Sequence, residues 1–224
     1  IIFLAVFTGT CLVGCGGKEE ARKVTGSDTM LNLTKNWSEA YQKEHPEVEI
    51  NVNGGGSGPG IKALINGTTD FAMASRKIKE KERKACGEAG IKPVEHIVCY
   101  DGLAVIAHKD FPIKKITYAQ LKMIYGDGNI TNWKQIFPDG PDMEIVVFGR
   151  DSSSGTFEYF RQAVLGKKGT YRDKIQRRQG TAQIVDEVMK TRGGIGYVGM
   201  GYIGGKRGDL TVFKLQKEAG STAY

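Results

Sequence analysis

Histidine and cysteine are scarce: the 224 residues hold three of the first and four of the second. No Cys-x-x-Cys pair or His/Cys cluster occurs, so the usual thiolate and imidazole metal sites are not expected. Proline is rare as well, at six residues. No dense Lys/Arg block with interleaved aromatics appears, which argues against nucleic acid as a partner. Lys77, Lys79, Lys81, Arg83 and Lys84 alternate with Glu80 and Glu82, the pattern of a solvated helix face. No internal repeat or low-complexity tract is seen. Nucleotide fingerprints are missing too. No glycine loop ends in Gly-Lys-Ser/Thr, and the spacing Gly54-x-Gly56 meets Pro59 where G-x-G-x-x-G requires glycine. The nucleophile elbow G-x-S-x-G is absent around Ser154, and His45, His96 and His108 sit in no motif that would place one beside it. Acidic residues are the minority, 25 against 32 basic, for a formal charge of +7. That balance suits an anionic partner of any kind without choosing one.

What is present begins with an uncharged stretch of seventeen residues. Its apolar run, Ile1 to Val6, falls far short of the roughly 20 residues a spanning helix needs. It fits the apolar region of a secretory signal. Leu12-Val13-Gly14-Cys15 then reads as a bacterial lipobox, followed by the polar spacer Gly16-Gly17-Lys18-Glu19-Glu20. Residues 1–15 are therefore expected to be a lipoprotein signal peptide. Cys15 is the expected lipid anchor, holding the protein to a bacterial membrane in the periplasm or at the cell surface. The missing initiator Met and basic leader suggest a clipped start. Cys11 belongs to the removed part. Cys86 and Cys99 are left either to pair in an oxidising compartment or to stay separate thiols, Cys99 then buried in a strand.

Apolar spacing alternates between strand and helix periods. Residues 22–25, 48–52 and 70–74 read as strands, and 29–43, 61–65 and 79–89 as helices, with Leu31, Leu33, Trp37, Ala40 and Tyr41 on one face of the first. Asp101-Gly102 interrupts the apolar run 97–107, which suits a crossover between lobes. Beyond it, 118–125, 157–165 and 181–190 read as helices and 144–148 and 195–198 as strands. The expectation is an α/β protein of two lobes with mostly parallel sheets. Lobe 1 spans 22–101 with 200–224 returning to it, and lobe 2 spans 102–199. Closure would bend near Asp101-Gly102 and Gly196 to Gly201.

Three turns share one design, each following a strand and opening a helix. They are Gly26-Ser27-Asp28-Thr29-Met30, Gly54-Gly55-Gly56-Ser57-Gly58-Pro59-Gly60 and Arg150-Asp151-Ser152-Ser153-Ser154-Gly155-Thr156. A helix start offers unpaired N–H groups and the positive end of the dipole. Hydroxyls add neutral donors, and glycines let an anion approach the backbone. One such turn is an ordinary capped helix. Three of them, with an arginine fork at the lip of the third, suit a tetrahedral oxyanion.

The chain resembles the phosphate-binding proteins of the Pst-type ABC transporter. The likeness rests on Gly-Ser-Asp-Thr-Met at 26–30, Gly-Gly-Gly-Ser-Gly at 54–58, Asp-Phe-Ala-Met-Ala-Ser-Arg at 70–76, Tyr-Asp-Gly-Leu-Ala-Val-Ile at 100–106, Ile-Thr-Asn-Trp at 130–133 and Arg-Asp-Ser-Ser-Ser-Gly-Thr at 150–156. It implies a type II periplasmic-binding-protein fold and no catalysis or cofactor. It implies capture of inorganic phosphate for the membrane permease subunits of an ABC importer. Thr29, the Met30 backbone, Ser57, Arg150, Ser154, Gly155 and Thr156 inherit donor roles from it. The same architecture also serves molybdate, tungstate or sulfate, and a phosphate-ester hydrolase is the enzymatic alternative. Arg76 stands where many relatives carry an acidic proton acceptor. Arg76 is thus expected as a second charged ligand, with Asp101 as acceptor and Asp28 and Asp151 as alternatives. Relatives usually continue with more of the first lobe, so a C-terminal part is expected to be missing.

Overall fold

The computed structural model describes residues 21–126 and 129–218. Cys15 and the signal segment lie outside them. The first sheet is built from β1 (Arg22–Gly26), β2 (Ile50–Asn53) and β3 (Phe71–Met73), in the order β2-β1-β3 and all parallel. Helices α1 (Asp28–Glu44) and α2 (Ser57–Ile65) connect them, as parallel neighbours require. Helix α3 (Glu80–Glu88) follows. Met73 is held close to β1: a Cβ on Gly26 would lie 2.1 Å from the Met73 carbonyl oxygen. Only glycine fits that turn, which also has φ +150°.

The second sheet is larger. Its strands are β4 (Leu103–His108), β6 (Val146–Arg150), β7 (Gln176–Arg178), β8 (Gly194–Gly199) and β9 (Leu210–Val212), in the order β7-β6-β8-β4-β9. A small parallel pair joins β5 (Lys115–Thr117) to β10 (Lys214–Gln216). Helices α4 (Tyr118–Tyr125), α5 (Gly155–Phe160) and α6 (Thr181–Lys190) flank it. On one side α6 buries Ile184, Val185 and Val188 with Ile106, Phe148 and Val198. Gly196 lets the helix approach, since a Cβ there would meet the Ile184 methyl at 2.7 Å. The other side is an aromatic cluster around Tyr125, Trp133, Phe160 and Tyr197.

The α/β reading holds, with corrections. The larger sheet is mixed: β6 runs parallel to β7 and β8, whereas β4 runs antiparallel to β8 and β9. The chain enters β4 from the irregular segment 91–102 rather than through a strand–helix–strand unit, so nothing imposes a parallel direction. Residues 210–216 do not return to the first sheet; they pair with β4 and β5. The turn Met200–Tyr202 does reach back, where the Tyr202 hydroxyl donates to the Asp28 carbonyl. Gly196 is packed in the core against Ile184 and Val188. The apolar face expected on α1 is not buried, with Trp37 44% and Tyr41 48% exposed. The buried positions of this helix are Asp28 and Ser38 instead. Residues 91–102 form no strand, and Val94, Ile97, Val98 and Tyr100 are exposed. Cys86 is buried, Cys99 is exposed, and both are free thiols. No described helix is long and apolar enough to cross a membrane.

Candidate functional site

The three turns meet. The Thr29 and Thr156 hydroxyls are 2.6 Å apart, joining the first turn to the third. The Gly58 N–H donates to the Ser153 carbonyl at 3.0 Å, joining the second to the third. A Cβ on Gly155 would lie 2.5 Å from both the Ser57 and Ser75 hydroxyl oxygens. The third turn therefore needs glycine at 155 to seat itself against the second. Ser57, Ser154 and Thr156 are all buried. Ser57 accepts the Ser75 N–H at 3.0 Å, and the Ser154 hydroxyl accepts the Phe157 N–H at 3.3 Å to cap α5.

Arg150 is the charge at the centre, only 1% exposed. One terminal nitrogen donates to Thr181 at 2.7 Å and the other to Asp28 at 2.8 Å. Its buried Nε–H has no partner among the described residues, an arrangement that costs free energy unless something accepts it. Burial pushes the guanidinium pKa below its usual value, and the Asp28 and Asp151 carboxylates oppose that. An arginine remains charged through either effect. Asp28 serves more than its own helix. Its second carboxylate oxygen accepts the Gly55 N–H at 3.2 Å, so one side chain ties the first turn to both others.

Comparison with known proteins places this architecture. A family model described as a PBP superfamily domain matches residues 16–222. The chain belongs to the PBP superfamily. It is 36% identical over 188 residues to protein SphX of Synechococcus elongatus, covering 83% of this chain and 56% of that protein. It is 34% identical over 206 residues to phosphate-binding protein PstS of Pseudomonas aeruginosa, covering 88% and 62%. The chain thus spans less than two thirds of these two relatives. It also superposes on a Clostridium perfringens protein described as a phosphate ABC transporter substrate-binding protein, solved with bound phosphate. The TM-score is 0.77 at 34% identity, covering 88% of this chain and 76% of that one. The family resemblance and the periplasmic-binding-protein fold drawn from the sequence are both borne out.

Within this PBP-superfamily chain the expected site residues divide. Thr29, Ser57, Arg150, Ser154, Gly155 and Thr156 come together as described. Met30 lies beside them, but its N–H is directed to the Ser27 carbonyl at 3.1 Å. Arg76 packs on the third turn, its Cγ 3.2 Å from where a Gly155 Cβ would be, but its charge is engaged by a neighbour. Its two terminal nitrogens clasp Glu82 at 2.7 and 2.8 Å. Burial raises the Glu82 pKa, but the Arg76 hydrogen bonds and the Lys79 N–H outweigh it and leave the carboxyl below its usual range. Asp101 lies at the margin. Its carboxylate and the Thr29 methyl both stand 2.8 Å from where a Gly199 Cβ would be. Partial burial pushes the Asp101 pKa up against two backbone N–H donors, Gly102 and Met200. Asp151 is engaged locally, accepting the Ser153 N–H at 2.7 Å. Sequence reasoning missed Thr181 and Gly199. Neither lies in a donor turn, and only the fold brings them to Arg150 and Thr29.

Proposed function

We propose that this protein captures inorganic phosphate for an ABC importer and catalyses no reaction. The observation that carries the reading is Arg150, a buried guanidinium with an unpartnered Nε among three hydroxyl- and glycine-rich turns. Ser57, Ser154, Thr29 and Thr156 supply neutral donors around it, and the Gly155 N–H completes the set. Bound phosphate in the Clostridium perfringens relative supports the same ligand. The site would hold the anion by hydrogen bonds and a single positive charge, with the lobes closed over it. Its natural partners are then the permease subunits of the transporter. Isothermal titration should give micromolar or tighter phosphate affinity, about −8 kcal/mol or better. No heat at millimolar phosphate refutes the reading, and tighter binding of molybdate, tungstate or sulfate reassigns the ligand.

The division into a first lobe of 22–101 and a second beginning at 102 is part of this proposal, as is the membrane anchor. Lipid on Cys15 would keep the protein at the outer face of the membrane it serves. Cys15→Ser should release soluble protein or leave uncleaved precursor, read by fractionation and mass spectrometry. Unchanged processing and retention of that variant would exclude the anchor.

A further inference from the structure

Arg150 and Phe157 are the two ends of the third turn, and a pair of phenols joins them from behind. The Arg150 N–H donates to the Tyr197 hydroxyl at 3.2 Å. The Tyr197 and Tyr171 hydroxyl oxygens are 3.1 Å apart. The Tyr171 hydroxyl reaches the Phe157 carbonyl at 2.9 Å. Each phenol has one proton, and one arrangement satisfies every contact. Tyr197 accepts from Arg150 and donates to Tyr171, and Tyr171 donates to Phe157. Burial pushes the Tyr197 pKa up to about 12 and raises that of Tyr171 as well, so both stay protonated.

The phenols are themselves immobilised. Tyr197 lies in the central strand β8 with no exposed surface, its ring stacked on Phe160 at 3.9 Å. The Arg177 guanidinium lies over the Phe157 and Tyr171 rings at 5.1 and 5.5 Å and donates to the Arg150 carbonyl at 3.4 Å. The strand end that carries the guanidinium and the helix start that carries Ser154, Gly155 and Thr156 are therefore spanned by a support outside the turn.

We infer that Tyr197 and Tyr171 are positioning residues for anion capture, a relay that fixes the span of the Arg150–Phe157 turn. The inference rests on the phosphate reading of that turn. A turn held in its binding geometry loses no affinity to reorganisation, whereas a loosened one binds in proportion to the fraction that is correctly shaped. Without the Tyr197 hydroxyl, the buried Arg150 N–H has no acceptor and the turn is driven to find another.

The test compares Tyr197→Phe, Tyr171→Phe and the double variant with Tyr125→Phe. The Tyr125 hydroxyl is also buried and bonds the Phe148 carbonyl at 3.4 Å, outside the relay. Inorganic phosphate affinity, melting temperature and hydrogen exchange of the Arg150 amide are measured for each. Either relay variant should bind phosphate roughly five- to fifty-fold more weakly. The double variant should be scarcely worse than a single one, because both break the same chain. The Arg150 amide should exchange faster even without ligand, and Tyr125→Phe should bind normally whatever its melting temperature. Relay variants that bind like the parent overturn the inference. So does Tyr125→Phe weakened to the same degree, which would mark general destabilisation. If the parent protein itself binds no phosphate, the functional reading fails, and unchanged Arg150 amide exchange in the relay variants would then reject the support as well.

Discussion

Arg150→Ala should weaken phosphate binding by about 2–4 kcal/mol, roughly 30- to 1,000-fold, because the anion loses its buried cationic partner. Two losses combine. The charge-assisted hydrogen bonds to the anion disappear, and Asp28 is left facing the anion without its 2.8 Å partner. That second effect turns a link between turns into a source of repulsion. Arg150→Lys separates the two. It keeps the charge but cannot serve Thr181, Asp28 and the anion together, so it should fall between the parent and the alanine variant. Breaking a buried pair also destabilises the fold. Each titration therefore needs a melting curve of the same sample below and at saturating phosphate. A folded Arg150→Ala protein that binds phosphate like the parent removes Arg150 from the site.

The three donor turns were legible because each combines a strand end, a helix start and small residues in consecutive positions. Their convergence was not, since it depends on contacts such as Thr29 with Thr156 across 127 positions. Arg76 shows the limit most clearly. Its sequence neighbours match a binding segment, but six residues on stands Glu82, whose carboxylate claims the guanidinium. An i to i+6 pair across a turn leaves no periodic signal. The return of 200–224 to the first lobe failed for 210–216 for a similar reason. Leu210 to Val212 is only three residues long, too short for alternation to reveal which sheet it joins. Length, spacing and turn chemistry read well from the chain. Charge pairing and the choice of sheet are decided by contacts that no period in the sequence reports.

Those pairings narrow the choice of proton acceptor. Near neutral pH phosphate still carries a proton and sulfate carries none, so an ionised carboxylate at the site favours the first and repels the second. Asp28 is engaged by Arg150 and the Gly55 N–H, and Asp151 by Ser153. Asp101 is close to Thr29 and Gly199, and no ion pair to it occurs among the described residues. Asp101→Asn should weaken phosphate by about 1.5–3 kcal/mol, roughly ten- to 150-fold, through loss of a charged hydrogen bond, and should admit sulfate. The pH dependence has a definite sign. Burial raises the Asp101 pKa, so in the free protein this group favours stability at low pH and loses that contribution as pH rises through its raised value. Phosphate capture requires the ionised form, so affinity should fall as pH is lowered through the same range. The asparagine variant should lack that fall and, free of ligand, should be at least as stable as the parent at neutral pH. Competition between sulfate and phosphate in the parent and in Asp101→Asn measures the effect directly. An unchanged ratio of the two affinities would move the discrimination to Asp28, to Asp151 or to backbone carbonyls.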